Sequence, residues 1–389
     1  MLTYPTGEQA LSPFDWYRFM RQQHPVFYDH KANCWHVFRY DDVSRVLTEH
    51  ATFSSDGERM LPGANTAIFS IVLMDPPRHR QLRNLVTQAF TLRAVAQLAP
   101  RISKITNELL DKVIAAGEMD VIRDLASPMP IIVIAELLGV AAEKRESFKR
   151  WSDALIEQDE NKGEEEYLQT NIQKIEEMNQ YFVQALEQRR LQPQNDLISM
   201  LLAAKLDGQH LTKGEILGFC VLLLIAGNLT TVNLIGNAFL CFDEHPEVME
   251  RLHNNPALMP SAVEEILRYR PPVKSIDRIT TTETTIGGQR IGPNQFIKAW
   301  MGSANHDETQ FPNPERFDIQ REPNRHLAFG HGIHFCLGAP LARLEAKIAL
   351  NTVLERMSEI RRTPSIPLEP INSPVMLGTK SLPITFKRL

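Results

Sequence analysis

The chain has 389 residues, 43% of them apolar and 23% charged, the composition of a globular protein able to bury a large core. Its formal net charge of −5 at pH 7 gives no general attraction to nucleic acid or to an anionic membrane. Four cysteines, Cys34, Cys220, Cys241 and Cys336, stand far apart with no CxxC pair, so neither a disulfide framework nor a zinc ribbon follows.

The N-terminal stretch MLTYPTGEQALSPFDWY has no basic start followed by an apolar run, so no secretory signal is expected and a cytoplasmic location is. SPFDWYRFMRQQ predicts a helix capped by Ser12, CWHVFRY a strand, and DDVSRVLTEH a helix with two acids in its first turn. Residues 56–73 hold two glycines and a proline before turning apolar, which suits a long loop of the kind that often carries function. From about 77 to 257 the pattern is helical nearly throughout. PIIVIAELLGV (130–140) is apolar on almost every side and is expected to be buried. EQDENKGEEEY (157–167) reads as a solvated connection between helices.

The longest helix is expected over 212–243, opened by a T-x-x-E capping box of Thr212 and Glu215. A helix of ~30 residues spans about 45 Å, enough to cross the molecule. The apolar runs FCVLLLIAG (219–227) and PIIVIAELLGV are shorter than the ~18 residues that span a bilayer, so no membrane anchor is expected. Residues 276–300 turn to β, with a hairpin through Gly287-Gly288. Residues 305–328 are rich in Pro, Asn and Arg and read as irregular; 339–357 is an amphipathic helix, and the tail is short strands. Length alone suggests two or three domains. No linker or repeat divides the chain, however, and one domain over residues 1–389, mainly α with a small β part, is the expectation.

The stretch FGHGIHFCLG (329–338) asks why one cysteine sits among glycines and histidines just before a helix. A buried cysteine serves as a small hydrophobe. Gly330, Gly332 and Gly338, however, permit backbone shapes closed to other residues and close approach to a ligand. Zinc is a second candidate, because His326, His331, His334 and Cys336 are near neighbours, although structural zinc prefers several cysteines in paired spacings. A third is a thiolate bound to haem iron. Pro340 is a natural first-turn residue, which puts the sulfur near a helix N-terminus, where free N–H groups favour negative charge. Residue chemistry leaves all three open.

The same stretch resembles the haem-ligand signature of the cytochromes P450, F-x-x-G-x-[HR]-x-C-x-G, with Phe329, Gly332, His334, Cys336 and Gly338 at its fixed positions. Other motifs resemble the family's in the same order. Glu265-Ile-Leu-Arg268, followed by Pro271-Pro272, matches E-x-x-R. An i,i+3 pair by itself contributes only tenths of a kcal/mol; the resemblance implies a buried pair completed by a further arginine, Arg321 in preference to Arg316. His79 and Arg83 match H-x-x-x-R and share a helix face. With Arg278 and His334 they match the residues that hold the haem propionates, for which arginine's bidentate fork is suited. Ala226-Gly227-Asn228-Leu229-Thr230-Thr231 matches [AG]-G-x-[DE]-T-[TS] except at one position. The resemblance implies that Ala226 and Gly227 leave room for dioxygen and that Thr230 holds a water. Leu229 stands where the family has a proton-passing acid, and leucine has no proton to pass; Asn228 is one position off and points about 100° away.

Taken together, the resemblance implies a cytochrome P450 fold with a long central helix over haem b (iron protoporphyrin IX) and Cys336 as the axial ligand of the iron. It implies a monooxygenase that inserts one oxygen atom from O2 into an apolar small molecule. By position, Ile68, Phe69, Val72, Leu223, Ala226 and Val273 are expected to line the substrate pocket. The chain carries no flavin or nicotinamide domain, so electrons are expected from a separate ferredoxin or flavodoxin with its reductase. Arg78, Arg80, Arg343 and Lys347 form a candidate docking patch on the cysteine side. A monomer is expected. Two other readings stand beside this one. Leu229 suits a peroxide-using or non-hydroxylating haem-thiolate enzyme, and a haem-based ligand-binding protein without turnover is the reading from another class.

Overall fold

The computed structural model describes residues 3–60, 62, 71–156, 164–206 and 208–389. Nine helices carry the argument: α1 (Phe14–Gln23), α2 (Tyr40–Thr48), α3 (Arg78–Thr87), α4 (Pro128–Leu137), α5 (Arg145–Ile156), α6 (Glu164–Leu191), α7 (Lys213–Glu244), α8 (Met259–Tyr269) and α9 (Ala339–Arg356). α7 begins where the sequence predicts it. Thr212 accepts from the Glu215 amide and the Glu215 carboxylate accepts from the Thr212 amide, so two otherwise orphaned donors are satisfied reciprocally. Its 32 residues form a core helix packed against α4, α5, α8 and α9. Taken whole, α7 is long and apolar enough to cross a membrane, although its uninterrupted apolar run is shorter. Its apolar side chains are instead spent inside the protein, with Leu222, Leu224, Leu234 and Phe242 all buried. α4 is buried on several sides through Met129, Ile131, Val133, Ile134 and Ala135, as its all-round apolar pattern requires.

A five-stranded sheet lies apart from this helical core. Its strands are β1 (Val26–Asp29), β2 (Cys34–Val37), β3 (Phe53–Ser54), β4 (Ile276–Thr280) and β7 (Phe296–Ala299), in the order β1-β2-β7-β4-β3. β7 runs parallel to β2 and antiparallel to β4, so the sheet joins the first fifty residues to the stretch after α8. The hairpin of β5 (Thr284–Ile286) and β6 (Gln289–Ile291) turns through Gly287 and Gly288, both at positive φ, as the sequence predicts. Val37, Val46, Phe53 and Ile297 form a second apolar cluster beneath this sheet.

Three local expectations differ from the structure. Ser12 does not cap α1: the helix starts at Phe14 without a side-chain cap, and Ser12 Oγ accepts instead from Arg270 Nη2 at 2.8 Å. β1, four residues that pair with β2, carries no turn signal strong enough to announce it. The connection expected over 157–167 lies outside the described residues up to 163, and Glu164 onward is already α6. Of the loop expected over 56–73, Gly57–Met60 form a helical turn, while 61 and 63–70 lie outside the described residues.

Candidate active site

Cys336 sits at the mouth of α9. Gly338 is the N-cap and Pro340 lies in the first turn, which leaves the leading amides without partners inside the helix. Burial pushes the Cys336 thiol up; the Gly338 amide, the charges of Arg83 and Arg343, and the Ala339 amide all pull the other way. A metal ion on the sulfur reverses that balance, because a coordinating thiol is deprotonated outright. The loop holds its shape through its own backbone, with the Cys336 N–H donating to the Phe329 carbonyl at 2.8 Å. Gly330 and Gly332 have φ of +71° and +72°. At Gly332 an added Cβ would meet the Leu47 carbonyl at 2.9 Å and Thr48 Cα at 3.0 Å, so α2 buttresses the loop from behind. Gly338 is different. Its φ of −81° is open to any residue, and an added Cβ would lie 4.0 Å from the sulfur, so backbone conformation does not demand glycine there.

The neighbouring histidines turn away from the sulfur. His326 Nε2 meets Glu264 at 3.1 Å, His331 Nδ1 pairs with Ser44 at 3.2 Å, and His334 packs against His79 with ring centroids 4.2 Å apart. Among the described residues no cluster of three or more His, Cys, Asp or Glu can hold a metal ion, so the zinc reading has no ligand set.

The central helix opens at one place only. From Ile216 to Leu224 and from Thr231 to Phe242 its side chains are nearly all buried, whereas Ile225, Gly227, Leu229 and Thr230 are half-buried and Ala226 is exposed. Thr230 Oγ1 donates to the Ala226 carbonyl at 2.7 Å, drawing on a helix carbonyl four residues back. Gly227 also serves packing. A Cβ there would come within 2.8 Å of Ile134 Cδ1, so its small size lets α4 pack against α7. Asn228 is buried and bonds Ser152 on α5, which takes it out of the place left by Leu229.

His79, Arg83, Arg278 and His334 gather as a set of donors short of acceptors. His79 is 1% exposed with neither ring nitrogen partnered, and His334 Nε2 is also orphaned. Arg278 is buried and donates to the Asp277 carbonyl; Arg83 donates to the Phe335 carbonyl. Burial, then the charge of Arg83, pushes His79 down to about 4. Burial, then the charges of Arg278 and His79, pushes His334 down to about 3. Burial lowers Arg278 to about 10 and lowers Arg83 as well. Buried donors and cations in this state fit a ligand that brings two carboxylates. A porphyrin with two propionates would meet that requirement.

Of the positions expected to line a pocket, Leu223 is buried, Val273 is half-buried and bridged to Met376, and Val72 is 41% exposed. Ile68 and Phe69 lie outside the described residues.

Glu265 and Arg268 are both 0% exposed and form a double hydrogen bond, with 2.8 Å at each contact. Arg268 also donates to the carbonyls of Asn305, Pro314 and Arg316. Arg321 completes the network, 3.2 Å from Glu265 and donating to the carbonyls of Pro312, Asn313 and Arg316. Arg316 contributes its carbonyl, not its guanidinium. The irregular segment has no ladder to satisfy its carbonyls, and these two guanidiniums do so.

Sequence reasoning missed two acids. Glu345 is 1% exposed on α9, next to Thr231, with Oε1 unpartnered; burial raises it to about 8. A carboxylate inside the apolar stripe of a helix was its visible signal. Glu264, beside Glu265, holds Arg343 with 2.7 and 2.8 Å contacts. Arg78 is likewise held, by Glu215. Half of the expected basic patch is therefore paired, and Arg80 and Lys347 are its exposed members.

The family model for cytochrome P450 matches residues 2–388. The chain belongs to the cytochrome P450 family. It is 42% identical to cyclomarin C epoxidase of Salinispora arenicola over 96% of this chain and 95% of that protein. It is 39% identical to erythromycin C-12 hydroxylase of Saccharopolyspora erythraea, over 95% and 93%. The structure of CYP109E1 from Bacillus megaterium in complex with corticosterone matches with a TM-score of 0.91 at 42% identity, covering 97% of this chain and 99% of that one. As a P450 the chain is a haem b monooxygenase acting on small molecules, with O2 and electrons from redox partner proteins.

Proposed function

We propose that this P450 hydroxylates bulky, largely apolar molecules of about steroid or macrolide size. Support comes from the apolar or small residues at the opening of α7, Ala226 and Leu229, and from the similarity to proteins named for such compounds. The observation that carries the reading is the pairing of a sulfur braced by helix N-terminal amides with a central helix accessible only around Thr230.

In this proposal Cys336 binds the iron, and His79, Arg83, Arg278 and His334 hold the propionates. Bound haem supplies dioxygen activation and carbon oxidation, including the electron density that a thiolate ligand pushes toward oxygen. Thr230 keeps its hydroxyl proton on the Ala226 carbonyl, so its oxygen accepts from a water in the opening. Leu229 keeps that side dry and passes no proton. Protons reach the site through the Thr230 water alone, or, in the peroxide-using reading that Leu229 favours, arrive with the oxidant.

We further propose residues 1–389 as one domain, a monomer in the cytoplasm without a membrane anchor, served by a ferredoxin or flavodoxin with its reductase. The test is a panel of steroids, macrolides and terpenoids, screened for a substrate-induced Soret shift and then for oxidised product with a surrogate ferredoxin system. Shifts followed by hydroxylated product are expected. Tight binding without product from any supplied electron source or from peroxide would favour the ligand-binding reading instead.

A further inference from the structure

Two consecutive acids on α8 face different parts of the protein. Glu265 holds the irregular segment, whereas Glu264 reaches α9 and takes the Arg343 guanidinium in a two-pronged contact, Nε to Oε1 at 2.7 Å and Nη2 to Oε2 at 2.8 Å. That geometry fixes where the guanidinium lies, since the fork admits one orientation. It lies over the Phe329 ring, 4.5 Å from the centroid. Phe329 opens the cysteine loop, and its carbonyl accepts the Cys336 N–H. His326 closes the group from the other side. Its Nδ1 accepts from the Ala328 N–H at 3.2 Å, so its proton sits on Nε2 and is donated to Glu264 at 3.1 Å. Glu264 is thus held by two donors and is well below the ordinary carboxylate range. Arg343 is 36% exposed and Glu264 30%, yet neither is free for a partner. Arg343 and Arg83 both act by charge on the Cys336 sulfur, but only Arg343 has an acid locked against it.

We infer that Glu264 is a positioning residue for the sulfur ligand: it pins Arg343 on Phe329 and cancels its charge, and the Glu264–Arg343 pair thereby sets the reduction potential of the haem iron. The inference rests on the haem-thiolate reading above. Adding one electron to the iron makes the site more negative by one charge. A nearby cation left unbalanced favours the reduced state, and a nearby anion left unbalanced opposes it.

The experiment is a dye-equilibrated reduction titration of the haem-loaded protein, with all proteins measured at one fixed pH. The proteins are wild type, Glu264→Gln, Arg343→Gln, the double variant and Arg343→Lys. Glu264→Gln is expected to shift the reduction equilibrium toward the ferrous state by about threefold or more, and Arg343→Gln to shift it the opposite way. The double variant and Arg343→Lys should stay within about twofold of wild type, because each keeps the local charge balance. Loosening of the loop or entry of water would move both single variants in one direction, so shifts of the same sign overturn the inference. So does an unmoved potential in both, or an Arg343→Lys shift as large as that of Arg343→Gln. If one glutamine variant does not load haem, the other glutamine variant and Arg343→Lys still decide the matter. A wild type without the thiolate carbon monoxide signature would instead refute the haem-thiolate reading itself.

Discussion

Gly332 shows how much one missing side chain decides. Its φ of +72° and the approach of the Leu47 carbonyl leave no room for a methyl group on the backbone that carries Cys336. Gly332→Ala is expected to cost about 1–3 kcal/mol, from left-handed strain together with the clash, measured by urea unfolding. Gly338→Ala should cost less, because its φ is ordinary and its contact is 4.0 Å. Glu345 offers a pH-dependent test. An unfolded glutamate titrates near 4.3, and in the fold burial raises this one to about 8. The native state therefore holds a proton that the unfolded chain gives up, so this residue's share of stability is intact below about pH 4.3 and is lost as pH rises toward about 8. Relative to wild type, Glu345→Gln should gain stability across that window and then level off. A difference that does not vary with pH would contradict the assignment. The cysteine loop was legible at this scale because its residues are contiguous. Glu264 and Glu345 were not, because their partners Arg343 and Thr231 lie 79 and 114 positions away and only the packing of α9 against α8 and α7 brings them close.

At the scale of the element, α7 was readable because its capping box and apolar circumference are local signals. What its sequence did not reveal is which face opens. Gly227 is also a place where α4 packs against α7, through Ile134, which its sequence did not announce. Leu229 is the departure with a functional consequence. Leu229→Glu places an ionisable group one residue before Thr230, in the half-buried opening. If the ordinary proton path is missing, this variant should raise the fraction of reductant that ends in product, with less peroxide released. Positioned proton donors typically contribute ~10²–10⁴-fold to a rate, so even a partly placed carboxylate should register. Unchanged coupling would show that Thr230 and water already suffice. The role of α8 was legible only through the resemblance that E-x-x-R carries, since such a pair is commonplace by itself, and the irregular segment it serves was correctly read as lacking regular structure. The carbonyls of Asn305 and Pro314 accept from Arg268, and that of Arg316 from both Arg268 and Arg321. Arg268→Ala leaves Glu265 buried and underpaired, which is expected to cost about 3–5 kcal/mol and to lower the yield of folded, haem-bearing protein. Retained haem loading with unchanged urea unfolding would argue against a structural role for the network.

For the molecule as a whole, the helical core and the sheet are tied together by contacts that no local pattern announces. β2 lies parallel to β7, some 260 residues later, and Arg270 reaches back to Ser12 and the Leu11 carbonyl. This is why Ser12 looked like a cap and is not one. The arrangement places a sulfur under helix N-terminal amides, gathers two arginines and two imidazoles with unpartnered ring nitrogens where two carboxylates fit, and opens the core helix around Thr230. The proposal on which the account depends is that Cys336 would hold haem iron as a thiolate. Its most direct test is the absorbance spectrum of the purified protein, reduced with dithionite and exposed to carbon monoxide. The account predicts the red-displaced Soret band that a thiolate ligand produces, and its loss in Cys336→Ala. Absence of that band in the wild type, or its persistence in the alanine variant, would contradict the account.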